Sequence, residues 1–503
     1  MKRLARQNVF HLALLPLATT FTGALTPAGC VSNESGKRGG AYAGEISYKV
    51  VVEGFEWGPS VTRLIVTAED DFQREAVDTT MFVVKTTLPV DAGDPTTYIR
   101  RITDMYICDS EGLKRSSGSS KSIAFELATG YETIMTIPGV GNIGAAIDGS
   151  SPFSYNRETG YNSWADLATY TVELAEGRTI RIGAATYDAV TVAADSYAGR
   201  LAPETALFTK GAISANGDSG SITLQTAAYE PESLKKDGAK NALLIWLHGA
   251  GEGGTDIDIA LLGNDVTELS KEPIQNYFKT AGADAGAYIL VVQTPTMWMD
   301  NGGGQHQGDQ DSRYTEALKR AIDRYIAANG DVDTDRIYIG GCSNGGYMTI
   351  DMLIKYPDFF AAAYPICEAY RDSYIDSAKL DKLKRTPLWF TASADDSVVA
   401  PPAYTARTYA RLVRADAKNA HFSYFEHVTG QDQPGVVYMG HWSWIYTLQD
   451  RCVLDQNAAA IKAAANLDAA VMLVTAPSTE PVQATGGQAT LWGWLAAQRK
   501  GRS

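Results

Sequence analysis

Two patterns of hydrophobic spacing divide the chain. Up to about residue 230, apolar and polar positions alternate with a period of two over short runs: 46–52, 61–67, 81–86, 98–108, 122–127, 168–174, 179–182 and 221–226. These runs are rich in β-branched and aromatic residues and bounded by Gly, Pro, Asp and Asn, which suits half-buried pleated strands separated by turns. Successive strands with few helical stretches between them predict an all-β sandwich over 44–230. From 231 onward the pattern changes. Continuous apolar runs at 243–247 and 288–292 read as strands buried on both faces. Tyr314, Leu318, Ala321, Ile322, Tyr325 and Ile326 share one helical face, with Gly330 just beyond. A strand at 337–339, a helix at 344–356 stopped by Pro357, and strands at 388–390 and 422–425 follow. Such alternation predicts an α/β region over 231–503, a mainly parallel sheet with helices on both faces and its ligands at the carboxyl ends of the strands.

The N-terminus reads as a targeting segment. Lys2, Arg3 and Arg6 precede a mostly apolar stretch, 9–25, which His11, Pro16 and several threonines interrupt. It is too short and broken for a membrane span and fits a signal peptide over 1–29, so the chain is expected to be exported. Ala28-Gly29-Cys30 resembles the end of a bacterial lipoprotein signal, with a polar, Gly-rich linker at 30–43. Either Cys30 carries a lipid anchor to the cell envelope, or cleavage falls near Ala28 and the product is secreted or periplasmic.

The formal charge of −14 excludes the cationic footprint that a nucleic-acid binder needs. The five cysteines are scattered without metal-ligand spacing; one disulfide is open, with no pairing legible. Asp331, Asp333 and Asp335 imitate a calcium loop but lack its glycine and distal glutamate. No cofactor or metal is expected.

The chemistry gathers in the α/β region. Gly341-Cys342-Ser343-Asn344-Gly345 fits G-x-S-x-G between a strand and a helix, where a serine on a tight turn becomes an exposed nucleophile. A serine needs a base, and the base needs an orienting carboxylate, in the chain order Ser, acid, His for this topology. Asp395 and Asp396 follow the strand at 388–390; Asp396 is preferred because Ser-Val-Val follows it directly, with Asp395 as the alternative. His441, late in the chain within Gly440-His-Trp-Ser-Trp444, is the expected base. His421 and His427 flank a strand, and His306 lies in a Gly/Gln-rich stretch expected at the site's rim. His248-Gly-Ala-Gly-Glu252, after the strand at 243–247, is a Gly-rich loop that can bring a backbone N–H close to a substrate oxygen. Ala250 and Asn344 are the expected oxyanion donors, with His248 bracing the loop. Trp298 and Trp442, both on loops near this site, are the expected substrate contacts.

Taken together, 247–252, Arg336 to Tyr347, the Asp395/Asp396 loop, 440–444 and the closing 491–498 resemble the prolyl-oligopeptidase-like branch of α/β-hydrolase esterases, which includes polyhydroxybutyrate-depolymerase-like and feruloyl-esterase-like enzymes. Phe55-Glu-Trp-Gly-Pro59 with 61–66 resembles the Ig-like N-terminal domain of two-domain bacterial esterases. The resemblance implies a serine carboxylesterase with an acyl-enzyme intermediate, acting on a small-molecule or polymer-borne ester. Two rivals stay open: a serine peptidase of the same fold, and a binding or adhesion protein with a silent hydrolase domain. The β region holds no triad member, so it is expected to shape the site entrance or to join subunits in a homo-oligomer.

Overall fold

The computed structural model describes residues 38–73, 78–89, 94–116, 118–137, 141–156, 158–217, 220–279, 286–302, 311–417, 419–453 and 490–501, and every structural statement here concerns these residues. The signal peptide, Cys30 and His306 lie outside them. No helix among them is long and apolar enough to cross a membrane.

The N-terminal region is a sandwich of two sheets. One runs in the order Arg38–Ala41, Ala185–Ala189, Ile180–Ile182, Ser60–Gln73, Ile46–Glu53, Tyr197–Leu201, with Ser119–Leu127 pairing Ser60–Gln73 and Ile102–Cys108 beyond it. The other runs Thr191–Val192, Thr169–Leu174, Phe82–Leu88, Thr96–Arg100. Alternation places Tyr48, Val52, Leu64, Val66, Phe125, Val84 and Val172 in the core between them. The opposite phase, Val51, Ile65, Cys108 and Ala124, forms a small second cluster. The single strand expected at 98–108 is two strands in different sheets. The chain changes sheet at Arg101, beside the buried Arg100, whose Nη2 donates to Val61 O at 2.9 Å and Ala128 O at 3.2 Å.

The α/β region is built on an eight-stranded sheet in the order Phe208–Gly217, Gly220–Tyr229, Ala287–Gln293, Asn241–Leu247, Val332–Cys342, Ala362–Ile366, Leu388–Ser393, Ala420–Phe425. The last six are parallel. Asn241–Leu247 is buried throughout: Leu243, Ile245 and Leu247 face one core, and Ala242, Leu244 and Trp246 the other. Helices Thr315–Ala328, Asn344–Lys355 and Thr405–Arg414 cover the first face. Ile257–Leu262, Trp444–Leu448 and Leu491–Ala497 cover the second.

One expected boundary moves. Strands Phe208–Gly217 and Gly220–Tyr229 form an antiparallel hairpin, and Gln225 to Tyr229 pair antiparallel with Ile289 to Gln293. This hairpin therefore belongs to the α/β sheet, not to the sandwich, and the division near 230 falls after two strands of the second region. A period of two identifies a strand but not the sheet it joins.

The two regions are tied together closely. Glu56, buried on the sandwich side, accepts from Tyr438 Oη at 2.6 Å, from the Gln431 N–H at 2.7 Å and from Gln449 Nε2. Between 131 and 164 the sandwich sends out two hairpins. Tyr131–Ile137 with Gly141–Ala146 reaches the loop before His441, where Asn142 Nδ2 donates to Val437 O at 2.9 Å. Phe153–Asn156 with Tyr161–Trp164 reaches the Gly-rich loop after Leu247.

Candidate active site

Ser343 sits at φ 54°, ψ −112°, between strand Val332–Cys342 and helix Asn344–Lys355. This is a strained conformation for a non-glycine residue, and strain of this kind gathers at sites of function. Its backbone is fixed on both sides: the Ser343 N–H donates to Ile366 O at 2.9 Å, and Ser343 O accepts from the Tyr347 N–H at 2.9 Å. The flanking glycines have a steric reason. A Cβ at Gly341 or Gly345 would overlap the Leu247 carbonyl, so only glycine lets the turn pack against the neighbouring strand end. The following helix places its N-terminal N–H groups and positive dipole end at the turn.

Of the two adjacent aspartates, Asp396 is the one paired with His441. Asp396 and His441 are both buried, and His441 Nδ1 lies 2.8 Å from Asp396 Oδ2. Asp396 Oδ1 accepts from the Val398 and Val399 N–H groups, each at 2.9 Å. The Ser-Val-Val segment after Asp396 thus supplies the donors that fix the orientation of this side chain. Asp395 turns elsewhere and accepts from Ser393 Oγ at 2.5 Å, with burial raising its pKa. Cys367 Sγ joins Asp396 and His441 in a buried cluster whose ligand-capable atoms lie within 4.8 Å of one another. Within it Asp396 Oδ2 and His441 Nδ1 are hydrogen-bonded to each other. Burial holds the Cys367 thiol well above its ordinary pKa, so it is a neutral neighbour rather than a thiolate. The described cysteines, Cys108, Cys342, Cys367 and Cys452, are free and buried.

The Gly-rich loop leaves strand Asn241–Leu247 and makes a short turn, Ala250–Glu252. His248 braces it, as expected. The Thr294 N–H donates to His248 Nε2 at 3.1 Å, so the proton sits on Nδ1 and is given to Gly249 O at 2.6 Å. Burial pushes the His248 pKa down to about 4. Its neutral form contributes stability above the ordinary value of 6.5, and that contribution is lost as pH falls toward 4. In NMR titrations the His248 ring is expected to stay neutral down to about pH 5. A midpoint near 6.5 would show that it is not held this way.

Asn344 is buried, and its Oδ1 accepts from the Trp298 N–H at 2.5 Å, tying helix Asn344–Lys355 to the loop after Gln293. Trp298 itself departs from expectation. It has no exposed surface and packs on His248 and Tyr314 at ring separations of 5.3 and 6.2 Å. A side chain this enclosed offers no face to a substrate; a loop position had suggested exposure, but the loop folds inward. Trp442 is only partly buried and lies in an aromatic group with Tyr131, Tyr438 and Trp444 at 5.7 to 6.0 Å.

Some residues here were not foreseen. Glu252 is buried beneath the Gly-rich loop, and burial raises its carboxyl to about 7. Asn162, from the sandwich, donates to Glu252 Oε1 at 3.2 Å. Glu368 is buried beside Gly346 of helix Asn344–Lys355, with burial raising its pKa well above the usual carboxylate range. Glu252 could have been found in the loop motif itself; Asn162 and Glu368 carry no local signal.

Comparison with known proteins falls on the same two regions. Residues 47–180 match the family model described as the esterase Ig-like N-terminal domain, and residues 318–371, which include the Ser343 turn, match the prolyl oligopeptidase family. A search of curated sequences gives no match. A solved thermostable esterase superposes with a TM-score of 0.61 at 21% identity, covering 80% of this chain and 96% of that one. A ferulic acid esterase overlaps more loosely, with a TM-score of 0.33 at 14% identity, 48% of this chain and 95% of that one. The architecture is an Ig-like domain followed by an α/β-hydrolase. The two family matches are thus to a domain found in esterases and to a stretch of the prolyl oligopeptidase family.

Proposed function

We propose that the protein is an exported serine carboxylesterase. The observation that carries this reading is the 2.8 Å pairing of His441 Nδ1 with Asp396 Oδ2 in a chain that also holds Ser343 on a strained strand-to-helix turn. Ser343 Oγ attacks the ester carbonyl while His441 Nε2 takes its proton. Asp396 keeps the other imidazole proton on Nδ1 and stabilises the imidazolium that forms. The N–H groups of Ala250 and Asn344 receive the oxyanion. His441 then gives its proton to the leaving alcohol, and water repeats the cycle on the acyl-enzyme. Trp442, beside the base, is the proposed substrate contact. The basic and apolar start of the chain supports export, with Cys30 as lipid anchor or bystander.

The match of 318–371 to the prolyl oligopeptidase family favours a second reading, amide hydrolysis by the same groups. One assay separates the two. The full chain is expected to hydrolyse p-nitrophenyl acetate or butyrate far faster than N-blocked peptidyl p-nitroanilides. A fluorophosphonate should label the peptide that contains Ser343. Faster anilide cleavage would favour the peptidase, and labelling elsewhere would remove Ser343 as nucleophile.

A further inference from the structure

We propose that Asn162, supplied by the Ig-like domain, is a positioning residue that sets the oxyanion loop through Glu252; this rests on the esterase reading above. Hairpin Phe153–Asn156/Tyr161–Trp164 lies against the loop from Gly249 to Asp256. Its far end is fastened by Trp164 Nε1, which donates to Asp256 Oδ2 at 2.7 Å, and by the Arg200 guanidinium, 3.3 Å over the Trp164 ring. Its near end places Asn162 directly on the loop. A Cβ on Gly251 would lie 2.9 Å from Asn162 Nδ2, and one on Gly253 would lie 3.2 Å from Tyr161 Cε1. The missing side chain at Gly251 leaves the space Asn162 occupies, whereas Gly253 is required first by the Thr296 carbonyl of the hydrolase itself, which such a Cβ would overlap.

Glu252 turns its carboxylate back under the same loop. A Cβ at Gly249 would meet Glu252 Oε2 at 2.9 Å, and one at Gly263 would meet Oε1 at 2.9 Å. Hydrogen bonds from the backbone of Glu252 and Gly249 favour its charged form, against burial. The carboxylate thus grips both sides of the turn that carries Ala250. Gln293 Nε2 adds a clamp from the sheet, donating to Glu252 O and Asp256 O at 2.9 Å each. Asn162 Nδ2 is the side-chain donor from outside the hydrolase. Without it a buried carboxylate oxygen loses its partner, which is costly enough to rotate the group or protonate it. Either change releases the turn. Oxyanion donors act through sub-ångström placement, so a loosened Ala250 weakens the transition state more than the bound ester.

The test uses the full-length chain with p-nitrophenyl acetate and a short trifluoromethyl ketone, whose hemiketal oxyanion mimics the transition state. Asn162→Ala is expected to lower kcat by about tenfold, less than loss of a donor outright, with KM within about twofold. Ketone affinity should fall by the same factor as kcat/KM. In a Glu252→Gln background the same Asn162→Ala change should cost less than about threefold, since the two act as one unit. Ser163→Ala, on the same hairpin, should leave kcat and ketone affinity as they were. Unchanged kcat and ketone affinity in Asn162→Ala would overturn the proposal. So would a loss confined to KM, which would make the hairpin a substrate contact, or full additivity with Glu252→Gln. Wild-type protein that shows no Ser343-dependent hydrolysis would bring down the esterase reading itself, a failure visible before any hairpin variant is made.

Discussion

Replacing Ser343 by alanine is expected to lower kcat on p-nitrophenyl esters by about 10⁶-fold while leaving the circular dichroism spectrum as it was. Alanine meets the same backbone strain at φ 54° that serine does, and the residue's fixed contacts are made by its backbone N–H and C=O. The fold therefore loses almost nothing. On the proposed mechanism the reaction loses its nucleophile, and what remains is the background that oriented binding and oxyanion donors give. Mass spectrometry supplies the check: wild type incubated with a slow ester should gain an acyl group on the Ser343 peptide, and the variant should gain none. An acylated Ser343→Ala protein would move the nucleophile elsewhere.

Asp396→Asn should follow, at about 10⁴-fold in kcat, whereas Asp395→Asn should stay within about tenfold. The reason lies in which oxygen does what. Asp396 Oδ1 accepts from the Val398 and Val399 N–H groups, so an asparagine there must keep its carbonyl oxygen on that side. Its NH₂ then faces His441 Nδ1 and forces the proton onto Nε2. A base protonated on Nε2 cannot take the serine proton. Asp395 accepts from the Ser393 hydroxyl and not from His441, so no such tautomer trap arises there. Kinetics of the two variants on one ester decide the matter; a larger penalty at Asp395 would reverse the assignment.

What the sequence shows of this molecule follows the range of the forces involved. The turn at Ser343 is legible because its needs are local: small residues at Gly341 and Gly345, an apolar strand before, a helix after. Asp396 is legible for a related reason, since the donors that hold it come two and three residues later. The run 221–226 reads as strand from its alternation, but its partner Phe208–Gly217 does not, and the hairpin's place in the α/β sheet is not legible, because alternation reports a pleated surface and not its neighbour. Trp298 was misplaced because an aromatic residue on a loop looks exposed until the packing of His248 and Tyr314 against it is seen. Asn162 was out of reach. Its partner Glu252 is ninety residues away in another domain, and Tyr-Asn-Ser-Trp is an ordinary hairpin strand by any local measure.

The carboxylate of Glu56 has a consequence for how the molecule comes apart. It is the acceptor for a phenol, a backbone amide and a glutamine drawn from three stretches of the hydrolase, and all of them surround an otherwise buried oxygen pair. Unfolding either domain alone would give up all of these bonds and open to water the surface they close, so each domain loses stabilisation when the other unfolds. On heating, the two domains should therefore lose structure in one cooperative step, so that the Ig-like unit behaves less as a detachable module than as part of a single thermodynamic body.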